Sequence, residues 1–331
     1  MKKISKKNKK EKWPSVSFIV CTYNCRDLAE RCIESIKNQD YPGKIEIMAV
    51  DSYSKDGTIE MLKEKKVKII FSESKPEGKR GAKWSGYKNA KNDILIYIDS
   101  DNKLMEKDWT RKMVKPLIKN KDVNFCVCRM AVVKSDKMIN RYLSLMGTDP
   151  FVDYKSIDSL LALRKLKLKD NGEYYTYKIT PENFIITGGY YFTCKKKTLD
   201  KIGGYTQDTD VVYNLAKNNL GNVAIVKDVH LHHLISDSIK NFFRKKISWA
   251  KIFFEKQQYN RDFNWLSNDS GEKHKIYTEI LINLLFITNF FIGIKMAIKD
   301  KESAWLLHPV MKWLTTTAYL YSFFVFYISK I

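Results

Sequence analysis

Four short apolar runs, VSFIVCTY (16–23), KIEIMAVD (44–51), VKIIFSES (67–74) and DILIYIDSD (93–101), are separated by stretches with helical periodicity such as LAERCIESIKNQ (28–39), TIEMLKEK (58–65) and GAKWSGYKNAKN (81–92). Runs of this length, rich in Ile and Val and alternating with amphipathic helices, specify an α/β domain with a mostly parallel sheet covered on both faces. Two of the runs end in acid: Asp51 follows IEIMAV, and Asp99 follows ILIYI. In such sheets ligands bind beyond the carboxyl ends of the strands, so both carboxylates are expected on one rim. Asp101 stands two residues after Asp99. In extended chain that spacing puts both on the same side, where they can share a divalent cation through hard oxygen ligands.

Beyond this core, DKMINRYLSLMG (136–147) and SIDSLLALRKLKL (156–168) read as helices, and NGEYYTYKIT (171–180) as a polar, Tyr-rich return. The acidic QDTD (207–210) opens a helix over VVYNLAKNN, and VAIVKDVHLHH (223–233) reads as a strand. The expected organisation is a basic tail over 1–14, a catalytic domain over 15–236 with an acceptor-side insertion at 134–181, a basic amphipathic interface helix region over 237–275, and a hydrophobic helical hairpin over 276–331.

The net charge of +22 over 331 residues calls for an anionic partner: nucleotide phosphate, anionic lipid or nucleic acid. The tail MKKISKKNKKEKW has no following apolar stretch and does not read as a secretory signal. Each of its lysines near an anionic membrane is worth about 1 kcal/mol. The helix SIKNFFRKKISWAKIFFEKQ (238–257) carries Phe242, Phe243, Ile247, Ile252 and Phe253 among Lys and Arg, the pattern of a membrane-surface helix. Tyr277–Ile298 and Met311–Ile331 each approach the roughly 20 apolar residues that span a bilayer. Asn283, Asn289 and Lys295 interrupt the first and Thr315–Thr317 dilute the second, so a spanning pair and a shallow interfacial hairpin both remain open. The six cysteines have neither paired spacing nor framework density, which points to a reducing compartment.

Taken in order, VSFIVCTYN, AVDSYSKDGT, EGKRGAKWSGYKNAKNDILIYIDSDN, TGGYYF, IGGY, QDTD and HLHH resemble a family 2 glycosyltransferase with the GT-A fold, from about Val16 to Glu255. The resemblance implies a metal-dependent hexosyltransferase using Mg²⁺ or Mn²⁺. Thr22, Tyr23 and Asp51 would lie along the donor's base and ribose, with Asp51 accepting a ring N–H of uracil. Lys79 and Arg80, between Gly78 and Gly81, would meet the donor phosphates. Asp99 would serve the ribose or a metal-bound water, and Asp101 the metal, with His233 reaching metal or diphosphate. An inverting transfer needs a carboxylate base; the family's Glu-Asp pair reads Gln207-Asp208 here, so Asp208 is the first choice and Asp210 the second, either being able instead to cap the helix. KKISW replaces the Gln-x-x-Arg-Trp motif of the family's processive synthases, which argues against polymer synthesis.

The resulting expectation is transfer of one sugar from a nucleoside-diphosphate donor, UDP-linked, to a lipid-linked or glycan acceptor. The enzyme would sit on an anionic membrane surface with its catalytic domain cytoplasmic. A polyprenyl-phosphate sugar synthase, a nucleotidyltransferase and a basic nucleic-acid-binding protein are the alternatives. No RNA-binding signature accompanies the basic residues, so nucleic acid is not expected as partner.

Overall fold

The computed structural model describes residues 12–73, 81–187, 191–257, 261–263 and 272–328. The basic tail up to residue 11, and Lys79 and Arg80 of the expected phosphate cradle, lie outside the described residues.

The first hundred residues alternate as the apolar runs require: β1 (Val16–Thr22), α1 (Arg26–Lys37), β2 (Ile45–Asp51), α2 (Thr58–Glu64), β3 (Lys68–Phe71), α3 (Ala82–Asn89) and β4 (Ile94–Asp99). β1 lies between β2 and β4, parallel to both, and its residues 16–20 are fully buried because helices cover both faces. α1 buries Ala29, Cys32, Ile33 and Ile36, the stripe expected of a helix packed on a sheet. α3 lies so close over the sheet that a Cβ on Gly86 would fall 2.3 Å from the Ile19 side chain. Only glycine permits that approach.

After β4 follow β5 (Asn102–Leu104), α4 (Trp109–Lys119), β6 (Phe125–Met130), α5 (Met138–Met146), α6 (Leu160–Leu163), β7 (Lys169–Asp170), β8 (Tyr174–Lys178), β9 (Tyr191–Lys195), α7 (Lys196–Asp200), α8 (Asp208–Lys217) and β10 (Asn222–His233). Among the described residues these strands form one sheet in the order β3-β2-β1-β4-β9-β6-β10-β8-β7, with β5 paired to β10. The sheet is parallel through β4 and mixed beyond it, since β9 runs antiparallel between β4 and β6. One local reading differs from the structure. The helix expected over 156–168 shrinks to Leu160–Leu163, after which the chain turns, with Leu166 and Leu168 packed on the core. The polar return is a hairpin, β7–β8, turned by Gly172 and Glu173, the former at φ 82°. All six cysteines are unbridged, and Cys32, Cys126, Cys128 and Cys194 are buried.

The C-terminal part is helical: α9 (Ile239–Ile252), α10 (Glu272–Leu285), α11 (Ile287–Asp300) and α12 (His308–Ile328). Among the described residues no single helix is long and apolar enough to cross a membrane. The apolar segment from Tyr277 breaks at Phe286, which has φ 66°, and the two halves are bent by 79°. α12 packs on α9 and buries Lys312, Thr315, Thr316 and Ser322, a polar inner face. The two apolar segments thus form one bent helix pair, α10 and α11, and one single helix, α12, packed on α9. α9 likewise turns Phe242, Lys246 and Ala250 inward, with Lys246 3.1 Å from Asp149.

Candidate active site

The β1 register places Thr22 opposite Asp51 and Cys21 opposite Asp99, so the strand ends deliver the expected acids to one rim. Asp51 is fully buried there: its carboxylate accepts from the Thr22 hydroxyl at 2.8 Å and from the Ser54 N–H and hydroxyl, both at 2.7 Å. The side chain faces inward and braces the following turn, rather than standing open to a base as the resemblance implied. Above it Tyr53, at φ 65°, stacks on Phe71 with ring centroids 5.2 Å apart, and Tyr23 is exposed. A non-glycine residue held at positive φ stores strain of order 1–3 kcal/mol, which the surrounding turn must offset.

Asp99 and Asp208 meet across Lys83. The ammonium, one turn before Gly86 on α3, lies 2.8 Å from Asp208 and 3.1 Å from Asp99. Tyr205 donates its hydroxyl to Asp208 at 2.8 Å. That tyrosine follows Gly204, which has φ 105° and where a Cβ would fall 2.6 Å from Trp84 and Tyr87. The two close approaches, Gly86 on the sheet and Gly204 on α3, bring Lys83 and Asp208 to the strand ends. Burial alone would push the Lys83 ammonium down, but Asp208 and Asp99 raise it well above its ordinary value and keep it charged. Burial raises the Asp99 carboxyl, with Lys83 opposing and the neighbouring Asp208 and Asp101 adding to it.

Asp210 is not part of this cluster. It is buried in the first turn of α8, and its carboxylate accepts the N–H of Phe263 at 3.3 Å. Burial pushes its carboxyl up. The two candidate bases thus face different surroundings: Asp208 the strand ends, Asp210 the segment 261–263.

Asp101 meets His233 because β5 pairs antiparallel with the end of β10, setting His233 opposite Asn102. His233 Nε2 is 3.0 Å from Asp101 Oδ2. Burial works against the Asp101 carboxylate, yet the charge and hydrogen bond of His233 hold it below the usual carboxylate range. A register shift in β10, with Asp228 at φ 53°, precedes the histidines. His230 and His232 point elsewhere, to Glu106 at 2.9 Å and Asp136 at 2.8 Å.

Among the described residues no three His, Cys, Asp or Glu side chains form a metal cage. Asp101 and His233 are a pair of donors, and a cation held by two protein groups would take most of its ligands from a bound diphosphate and water. The sequence did not single out Lys83, Tyr205 or Arg31, whose guanidinium donates to the Asp101 carbonyl at 2.8 Å. The signals were present in RGAKWSG and IGGYTQD, but a helical Lys and a Tyr three residues before an acid acquire meaning only once α3 and α8 are packed together.

Residues 17–198, more than half of the chain, match the family model described as Glycosyl transferase family 2. A GalNAc(5)-diNAcBac-PP-undecaprenol beta-1,3-glucosyltransferase of Campylobacter jejuni is 30% identical over 97 residues, 28% of this chain and 31% of its own length. Glycosyltransferase AglE of Haloferax volcanii is 30% identical over 93 residues, 27% and 31% of the two lengths. The matches thus span about a third of these curated relatives. Among solved structures, a mannosyltransferase from Pyrobaculum calidifontis in complex with GDP-Man and Mn²⁺ superposes with a TM-score of 0.53 at 17% identity, covering 93% of this chain and 87% of that one. The sheet and its flanking helices are the GT-A fold, and the chain belongs to glycosyl transferase family 2.

Proposed function

We propose that the protein is an inverting glycosyltransferase that moves one sugar from a nucleoside-diphosphate donor, UDP-linked, to a lipid-linked acceptor at the cytosolic face of a membrane. The observation that carries this reading is the position of Asp208, a carboxylate held by Lys83 and Tyr205 beside the strand-end acid Asp99. In the proposed step an acceptor hydroxyl attacks the anomeric carbon and the bond to the diphosphate oxygen breaks. Asp208 takes the hydroxyl proton, and the electron pair leaves with the diphosphate. A divalent cation held at Asp101 and His233 would balance the charge of that leaving group. Tyr23 and the Tyr53–Phe71 stack would receive the base, and Lys79 and Arg80 the phosphates.

Membrane attachment is supported by the outward faces of α10 and α11, where Leu281, Leu285, Ile287 and Phe291 are each about 60% exposed, and by the net charge of +22. An apolar ridge with cationic surroundings suits an anionic bilayer surface. The test is a screen of nucleotide-sugars for Mn²⁺- or Mg²⁺-dependent transfer, with the anomeric configuration of the product read by NMR. Transfer with inverted configuration supports the reading; retained configuration, or no turnover of any nucleotide-sugar, overturns it.

A further inference from the structure

Beside the end of β10, just past His233, lies an open cavity of about 730 Å³. Its lining comes entirely from residues 135–140 and 234–248, including Asp136, Lys137, Asn140, Arg244, Lys245 and Ser248. Leu234 and Ile235 in its wall continue directly from His233, and Asn140 donates to the His233 carbonyl at 3.0 Å. The cavity therefore abuts the metal-facing strand end but shares no residue with the nucleotide side.

Its charges are unequally satisfied. Asp136 already meets Asn140 and His232, each at 2.8 Å, and Asp237 accepts from Asn241 at 2.8 Å. The three cations are less fully matched: Lys245 donates to the Ile235 carbonyl at 3.0 Å and Arg244 to the Asn241 side chain at 2.7 Å, and neither they nor Lys137 is ion-paired among the described residues. Their neighbour Lys246 is by contrast buried and lies 3.1 Å from Asp149. Trp249, which follows the lining residue Ser248 on α9, is half exposed, so the helix that carries the cations also presents apolar surface.

We propose that this cavity seats the acceptor, and that Arg244, Lys245 and Lys137 bind a phosphate or diphosphate group that the acceptor carries. Arginine and lysine together supply the fork and the point charge that phosphate oxygens accept best. The inference rests on the glycosyl-transfer reading above and narrows its acceptor to a phosphate-bearing amphiphile.

The test uses the full chain and three probes in calorimetric titrations: farnesyl phosphate, farnesol and inorganic pyrophosphate. Farnesyl phosphate is expected to bind at least about tenfold tighter than farnesol, as charge-assisted hydrogen bonds to phosphate require. The double variant Arg244→Gln/Lys245→Gln should bring the two to the same affinity. The affinity of that variant for UDP or GDP, whichever binds the parent better with Mn²⁺ present, should stay within twofold, which also certifies its fold. Competition by pyrophosphate assigns the site to the phosphate alone, and its absence to phosphate on a lipid chain. Equal binding of farnesol and farnesyl phosphate, an unaffected double variant, or a parallel loss of nucleotide binding would each overturn the proposal. Failure of the transfer reading shows separately, as no turnover of any nucleotide-sugar.

Discussion

Buried charge is used in opposite ways in the two halves of the molecule. At the strand ends Lys83 stands between two carboxylates, and Asp101 faces His233, with all of these groups on the rim where ligands enter such sheets. In the C-terminal part cations meet carboxylates carried by other segments: Lys246 of α9 with Asp149, Lys312 of α12 with Glu279 of α10, and the partly buried Arg164 with Asp300 of α11. Buried pairs of the second kind hold elements in register, whereas clustered like charges of the first kind are kept for a task that repays their cost. If that contrast is right, substitutions in the first group should abolish chemistry in a folded protein, and those in the second should unfold a protein whose chemistry is intact.

The largest effect is expected at Asp101. Asp101→Asn should lower transfer by several orders of magnitude with the melting temperature little changed, and excess chelator should do the same to the parent. Full turnover in either condition would remove the metal role. Next, Asp208→Asn should suppress transfer by about 10²–10⁴-fold while nucleotide binding persists, because only the proton acceptor is lost. Asp210→Asn should fall less than tenfold; the reverse pattern would exchange the two roles.

Lys246→Met tests the other half. Breaking a buried pair strands a charge and costs about 3–5 kcal/mol, so denaturant midpoints should fall sharply. Turnover per folded molecule should remain that of the parent. A stable but inactive Lys246→Met would erase the distinction between the halves.

The parallel β1–β4 half was legible from the sequence because each apolar run is continuous and each intervening helix carries its own stripe. β9 was not, since nothing in YFTCK tells an antiparallel insertion between β4 and β6 from a parallel strand. Gly172 did carry a turn signal, and its positive φ opens the β7–β8 loop. The C-terminal apolar segments were legible as helices but not in their packing. The residues that spoiled them as membrane spans bond to one another: Asn283 donates to Thr316 and Asn289 to Asn283, each at 3.0 Å. Hydropathy averages such residues away, while packing pairs them. The acids of the site could be read because they end strands; Lys83 and Tyr205 could not, because their partners lie more than a hundred residues away in sequence or on a helix not yet placed.

The outward face of α10 and α11 has no such pairing, and its substitution should cost membrane binding rather than stability. Changing Ile287 and Phe291 to Ser removes two exposed apolar side chains, each worth about 1–2 kcal/mol when transferred out of water. Co-sedimentation with phosphatidylglycerol vesicles should weaken at least tenfold, with the denaturant midpoint unchanged. Loss of stability instead would place this face against protein.

The smallest expected effect separates Asp208 from Asp210 by pH. Burial raises the Asp210 carboxyl in the folded chain, so its protonated form is the one folding favours. Its contribution to stability is then present below the ordinary Asp value near about 4 and is lost as pH rises through the raised folded value. Asp210→Asn keeps an oxygen for the Phe263 N–H and cannot ionise, so it escapes that loss. Measured by denaturant unfolding, the variant should match the parent at acid pH and become the more stable of the two towards neutrality. Should the parent gain on the variant as pH rises, the Asp210 carboxylate is stabilised in its charged form, and its exclusion from the charged cluster at the strand ends is wrong.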